Sequence, residues 1–506
     1  MKKIMTRLLS LVLLGTFIPS YVLAADWDLD KGSITVSATV ESQTVSQAGG
    51  SPTVDNNPVI TSSSGTTNNT VTITAEKNAT ANVTLENVNI DTGKTGGAAI
   101  TTSGEGNVNI ELDGTNTVQS GNSHAGVEKK GDGTLTITDE NKDGSLTATG
   151  GDLGAGIGGG ECGSGSNIAI EGGKVEATGG FSGAGIGGGQ GGSGSNITIS
   201  DGKVTATGGG GGADINGGQG GTGSNIAIEG GKVEATGGYS GAGIGGGEGT
   251  WGSNITISDG EVTATGGGAG AGIGGGFAGG GEGITIEGGK VTARGDTGGA
   301  GIGGGVNNTG SNITISGDAQ VKVQGGRANE YWHKGAAIGS GGTVTTEGNE
   351  VSPNTSDLTV DGFIQIYEPG KNINTDTPYK TITGTVGDHS RNAGVVTAET
   401  VPESKAAAYW VCDPEGQSIP DQAQQKDGVL TVTVQADTAS LCGTTGSLGQ
   451  LEAQGITEIR FVTKGAQSAF TLADLLASGT GSFTLTHEAD TVTFTLAGKD
   501  ISGILK

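Results

Sequence analysis

Between about residue 96 and residue 350 the apolar positions recur with a strict period that is neither helical nor that of one isolated strand. The motif Gly-Ala-Gly-Ile-Gly-Gly-Gly returns, in places degraded, with its isoleucine at Ile157, Ile186, Ile215, Ile244, Ile273 and Ile302, always in the same 29-residue step. A related turn reaches Ile338 after an insertion containing Tyr331-Trp332-His333-Lys334, and looser versions lie upstream at Val127 and Ile100. Each repeat holds three short pieces with strand character; in the first they are Ala155-Gly156-Ile157, Ile168-Ala169-Ile170 and Val175-Glu176-Ala177. The last two alternate apolar and variable residues, the period of a strand with one buried face. Asp-Gly turns such as Asp201-Gly202 and Asp259-Gly260 separate them, where positive φ is wanted.

Three strands in each such repeat, with no helical segment between them, cannot build a βαβ fold. Stacked coils satisfy them instead, each strand pairing with its copy one coil away. The pattern therefore predicts an all-β chain: a three-sided parallel β-helix of 29-residue coils, right-handed by the bias of parallel crossovers, followed by a smaller β-rich C-terminal domain. Ile168, Ile197, Ile226, Ile255, Ile284 and Ile313 are expected to form one inward ladder, and Val175, Val204, Val233, Val262 and Val291 another. Asn167, Asn196, Asn225, Asn254 and Asn312 precede one strand, interrupted by Gly283, and their amides can bond copies above and below. A second period, two coils long, is superimposed, because coils alternate between IAIEGGKVEATGG and ITISDGKVTATGG. It separates Glu176 from Glu234 by Thr205, so like charges are not stacked at one strand spacing.

The segments outside the coils divide the rest of the chain. Residues 1–24 open with Lys2, Lys3 and Arg7, continue through an apolar run from Leu8 to Ile18 and end on Val22-Leu23-Ala24. That reads as a secretory signal cleaved after Ala24, too short for a spanning helix, and it implies a secreted or surface-associated protein. Residues 25–95 read as a cap and irregular coils, which a solenoid needs to cover its end layers. From residue 351 to residue 506 the period is lost, and strands are expected at Val429 to Val434, Glu458 to Val462, Ser482 to Thr486 and Val492 to Leu496, with a short helix at Ala469 to Ala477.

Composition then narrows the chemistry. The 106 glycines without a Gly-x-y period exclude collagen, and a low apolar content of 32% would suggest disorder were the period not so strict. With 26 Lys and Arg against 52 Asp and Glu the net charge is −26, which repels phosphate backbones and disfavours nucleic acid as a partner. Three cysteines are too few for a disulfide scaffold; Cys412 and Cys442 are expected to bridge and Cys162 to stay unpaired.

The start Asp26-Trp27-Asp28-Leu29-Asp30-Lys31-Gly32-Ser33-Ile34-Thr35, followed by tandem glycine-rich coils, resembles secreted carbohydrate-binding β-helix proteins of Gram-positive anaerobes and adhesin-like surface proteins of gut bacteria. The resemblance covers roughly residues 26 to 345. It implies the β-helix fold and a polysaccharide or cell-surface glycan as partner, although that family's binding residues do not map onto this repeat.

Several motifs carry a chemical reading that their context opposes. Gly154-x-Gly156-x-x-Gly159 fits a dinucleotide fingerprint but leads into a strand, not a helix whose N-terminus could hold a pyrophosphate. Gly191 to Ile199 approaches a calcium-binding nonapeptide, yet has Asn196 for Asp, Thr198 at the apolar position and the wrong spacing. Many parallel β-helices are polysaccharide lyases or hydrolases, which need clustered carboxylates with a base beside them. In the regular coils arginine occurs at Arg294 alone, with Arg327 just beyond, and His124, His333, His389 and His487 are scattered. An ice-binding threonine array is broken by Glu176 and Glu234. No cofactor and no metal are expected.

The reading that survives is a non-catalytic, carbohydrate-binding surface protein, with a polysaccharide lyase or hydrolase as the alternative and a protein-interaction scaffold as a further one. In Ala-Gly-Ile-Gly-Gly-Gly the alternation sends Ala and Ile inward, so Gly156, Gly185, Gly243, Gly272 and Gly301 are expected to face outward. The third coil departs with Asp214 and Asn216, which would offer hydrogen bonds amid the glycines. Phe181 and Tyr239 border the strip before the strand, two coils or ~9.6 Å apart, and Trp251 and Phe277 border it after. These six residues form the candidate glycan site.

Overall fold

In the computed structural model, residues 26–329, 331–342, 358–367, 371–373, 375–378, 380–386, 409–414, 419, 421–445, 448–453, 455–479, 481–488 and 491–506 are described. The expected signal sequence and His389 lie outside them. The strands of residues 26 to 386 stack into three parallel columns. One column consists of short strands, from Ile34–Ala38 through Val71–Ala75, Ile100–Ser103, Val127–Lys129 and Ile157–Gly158 to Ile338–Gly339. Within it Ile157, Ile186, Ile215, Ile244, Ile273, Ile302 and Ile338 are successive register partners. The second column carries the six-residue strands typified by Gly165–Ile170, and the third those typified by Lys174–Thr178. Strand Leu358–Tyr367 extends both of these at the C-terminal end.

Isoleucine, valine and alanine fill the interior because each strand of the two longer columns sends alternate side chains there, as the buried–intermediate alternation of Lys203–Thr207 illustrates. Each fully buried isoleucine contributes about 1.5–3 kcal/mol of apolar burial. The asparagine column sits at a bend with φ of 52–57°, a left-handed conformation that asparagine tolerates better than most residues. Asn196 Nδ2 donates to Asn167 Oδ1 at 2.9 Å, Asn225 to Asn196 and Asn254 to Asn225 at 3.1 Å each. Gly283 keeps the same backbone with φ +66°, and Asn312 then donates to Glu282 at 3.3 Å.

Both ends of the stack are closed by antiparallel strands. Gln43–Gln47 folds back on Ile34–Ala38, and Lys380–Val386 folds back on Leu358–Tyr367. Such closure stops one coil's edge from templating another chain. Strand pairing thus carries the solenoid to Val386, beyond the boundary expected at residue 350. Before residue 95 the parallel register runs from Ile34, paired with Val71, onward.

The C-terminal region has two sheets sharing one core. Trp410–Cys412, Ala439–Thr444, Ser482–Glu488, Thr491–Leu496 and Lys499–Asp500 form one; Asp421–Lys426, Val429–Val434, Glu458–Val462 and Gln467–Thr471 form the other. Phe461, Phe470, Phe483 and Phe494 fill the space between them. The helix expected from Ala469 begins at Leu472, because residues 467–471 pair with Glu458–Val462. Thr471 Oγ1 caps that helix by accepting from the Asp474 N–H at 3.0 Å. Cys412 and Cys442 sit on adjacent antiparallel strands with their sulfurs 3.7 Å apart, while Cys162 is exposed on the solenoid. Among the described residues no helix is long and apolar enough to cross a membrane.

Candidate binding face

The glycine strand has backbone on both sides. Each coil leaves its third strand through one loop, forms the short Ile-Gly strand, and leaves through a second loop. These loops close over the strand: the N–H of Gln219 donates to the carbonyl of Ser182 at 2.9 Å, Glu248 to Gly211 at 2.8 Å and Phe277 to Ser240 at 2.7 Å. In every case the second loop of one coil meets the first loop of the coil before it. The result is an outer layer of backbone lying against the short-strand column.

This layer overturns the expected open strip. Gly156, Gly185, Gly243, Gly272 and Gly301 are buried. A Cβ at Gly156 would stand 2.6 Å from both the Gly185 carbonyl oxygen and the Thr178 nitrogen. The in–out alternation that assigned these glycines to the surface holds for a strand with one solvent face, and this strand has none. Glycine is required here by the closeness of neighbouring backbone.

Asp214 and Asn216 are corrected with the strip, since both are fully buried. The Gly208 N–H donates to Asp214 Oδ1 at 2.5 Å, and Asn216 Nδ2 donates to the Ser224 carbonyl at 3.1 Å. Asp214 Oδ2 and Asn216 Oδ1 have no hydrogen-bond partner. Burial holds the Asp214 carboxyl well above the ordinary carboxylate range. The ladder bonds around them stay intact, from 2.7 Å for Ile186 N to Asp214 O to 3.3 Å for Asp214 N to Ala242 O. Neither side chain can reach a ligand on the surface.

The four aromatic residues of the candidate site remain on the outer layer. Phe181 is 71% exposed and Tyr239 73%, with Trp251 at 40%. Phe277 is half-buried, its ring 5.8 Å from that of Trp332. Beneath the exposed rings lie glycines of the following coil. A Cβ at Gly210 would meet the Phe181 ring at 3.2 Å, one at Gly268 the Tyr239 ring at 3.3 Å, and one at Gly280 the Trp251 ring at 2.5 Å. Each ring therefore rests on bare backbone. The two-coil alternation Phe181, Gly210, Tyr239, Gly268 provides that support, since a side chain at 210 or 268 would lift the ring.

Polar groups stand beside the rings that the repeat alone did not single out. Ser182 Oγ donates to Gln219 Oε1 at 2.8 Å, and Gln219 Nε2 donates to Glu248 Oε2 at 2.8 Å. Gln219 folds over Gly211, whose Cβ would meet its Cγ at 2.6 Å. The one-coil step from Gln219 to Glu248 was the available signal. Tyr331, 60% exposed, stands 6.3 Å from the ring of Trp332.

Other chemistry-bearing groups gather elsewhere. His124 Nδ1 lies 2.6 Å from Glu128 Oε2, and Lys130 Nζ 3.1 Å from Glu128 Oε1. His333 is exposed, whereas His487 is buried between Thr463 and Ser468. Among the described residues no group of three or more His, Cys, Asp or Glu is placed to hold a metal ion.

Six segments, 142–161, 168–190, 226–248, 255–277, 284–306 and 313–342, match the family model described as a beta helix repeat. These repeats lie within the three columns of parallel strands, and together they define the fold as a parallel β-solenoid. No curated protein and no solved structure matches the chain.

Proposed function

We propose that this is a non-catalytic, secreted or surface-associated protein that binds carbohydrate on the outer layer of its β-helix. The observation that carries the reading is the seating of Phe181 and Tyr239: large rings more than two-thirds exposed, each supported from below by a glycine. A buried ring packs, whereas a ring resting on backbone with open solvent above presents a face. Sugar rings offer a matching face of C–H groups, and the Gln219 amide and Glu248 carboxylate beside the rings suit hydroxyl groups. The net charge of −26 opposes a nucleic-acid occupant of the same stacking surface. Export is supported by the basic, apolar and small-residue succession of residues 1–24.

The test is retention of the full chain on a panel of insoluble polysaccharides and bacterial cell walls. Parent protein is expected to be held by at least one of them, and the double variant Phe181→Ala, Tyr239→Ala to pass through at unchanged melting temperature. Equal retention of parent and variant on every matrix would rule out this face.

A further inference from the structure

Building on the glycan reading, we infer that the outer layer is a three-subsite platform for a neutral β-1,4-linked glycan lying parallel to the solenoid axis, its third subsite supplied by Trp332. The direction follows from the repeat. Phe181 and Tyr239 hold the same place in the first loop of coils two apart, so their spacing is ~9.6 Å along the axis. The intervening Gly210 leaves room for the Phe181 ring and no competing side chain. The hydrogen-bonded line Ser182, Gln219, Glu248 advances along the same axis, one coil from Gln219 to Glu248. Stacking faces and hydroxyl partners thus run side by side down the layer.

A third ring in the two-coil series would fall at position 297, where the chain has Thr297. The insertion after residue 324 supplies one instead. It makes the step between the register partners Ile302 and Ile338 longer than the regular one. The turn is tied by Asn329 Oδ1, which accepts from the N–H groups of Tyr331 and Trp332 at 2.8 Å each. Trp332 lands beside Gly298: a Cβ there would stand 3.3 Å from the Trp332 Cβ. Its ring rests against Phe277, which fixes its orientation. Three rings then cover roughly four coils, ~19 Å.

The spacing and charge name the occupant. A chain that stacks on rings two coils apart must show the same sugar face every second residue. A flat β-1,4-linked ribbon does so, with a disaccharide repeat close to the two-coil distance, and an α-linked helix does not. From residue 150 onward the acids of the loops are Asp152, Glu161, Glu248, Asp296 and Glu330, besides buried Asp214, while the bases, Arg327 and Lys334, occur only in the insertion. Uronate and sulfated polymers are therefore disfavoured.

The experiment is calorimetric titration of the full protein with neutral β-1,4-linked oligosaccharides of two to six sugars, alongside amylose fragments and oligogalacturonate. The expected result is affinity that rises with length, with Trp332→Ala weakening the hexasaccharide roughly threefold to tenfold and leaving the disaccharide unchanged. Trp332→Phe should retain most of the gain and guards against misfolding of the insertion. Preference for α-linked or anionic oligomers, or a length dependence untouched by Trp332→Ala, overturns this inference while the glycan reading stands. No binding by any soluble or insoluble glycan overturns both.

Discussion

Replacing Gly243 by alanine tests whether the short-strand column is closed on both sides. The added Cβ would stand 2.7 Å from the Gly272 carbonyl oxygen, 2.8 Å from the Thr265 nitrogen and 2.9 Å from the Thr265 carbonyl oxygen. All three are backbone atoms held in ladders, so no side chain can rotate away. The φ of Gly243 lies outside the left-handed region, so the penalty is steric alone. Overpacking of this kind costs about 1–3 kcal/mol. Two controls separate packing from conformation. Gly97 has open space around its Cβ and no positive φ, so alanine there should be neutral or stabilising by about 0.4–1 kcal/mol. Gly249 has equal room but φ +77°, so alanine should cost only the left-handed penalty of about 1–2 kcal/mol. Because coils couple chiefly to their neighbours, the readout should be local. Hydrogen exchange at the amides of Ile244 and Gly237, which donate to the Gly272 and Thr265 carbonyls, follows the two ladders concerned, with urea unfolding as the global check. A Gly243→Ala protein with parental exchange there would show that the neighbouring ladders do not close on Gly243, and would restore the glycine strip as a surface.

The remaining predictions concern groups the structure places differently from one another. Asp214 has a folded-state pKa above its unfolded one, so above about pH 4 the unfolded chain loses a proton that the folded chain keeps, and stability falls as pH rises. Asp214→Asn removes that slope; urea midpoints should favour the variant increasingly as pH rises above about 4, and parallel curves would refute the burial argument. In the asparagine ladder, Asn225 has φ +53°, so Asn225→Ala should lose its amide bonds and add left-handed strain of about 1–2 kcal/mol, whereas Asn225→Gly, which repeats what the ladder already holds at Gly283, should be milder. Non-reducing peptide mapping of exported protein should join Cys412 to Cys442 and leave Cys162 open to alkylation; a link from Cys162 to either would sink that pairing. Purified protein with polygalacturonate and calcium should give no rise in unsaturated-product absorbance, and a calcium-dependent rise would overturn the non-catalytic reading.

The parts of the fold legible in the sequence are those where a side chain reports its own environment. The isoleucine, valine and asparagine columns repeat once per coil because each is selected by its copy one coil away, and all three stand where the period placed them. The strand Leu358–Tyr367 continues the columns without the glycine turns, so its membership was hidden by the change in composition around it. The start of the last helix was obscured in another way. Ala469 and Phe470 suit helix or strand, and the pairing with Arg460 and Ile459 decided between them.

The candidate site was half legible for a related reason. A glycine carries no polarity, so its sequence position cannot distinguish bare surface from a place where two backbones touch. The outer layer is built by backbone bonds between loops such as 208–212 and 246–250, which leave no side-chain pattern to read. Acids and amides are seldom buried, so Asp214 and Asn216 suggested an exposed pair. Their burial is visible only once the loop over them is known. The aromatic residues behave oppositely: Phe181 and Tyr239 alternate with Gly210 and Gly268, and that alternation is meaningful on either face. What the structure adds is that the glycines belong to the support and the rings to the surface. The same residue type therefore serves two purposes in one coil stack. Gly243 lets backbone layers meet, and Gly210 lets an aromatic ring rest on the outer one. A ligand that needs a flat stacking surface is thus met by side chains, and the glycine strand beneath them acts only through the layer it permits.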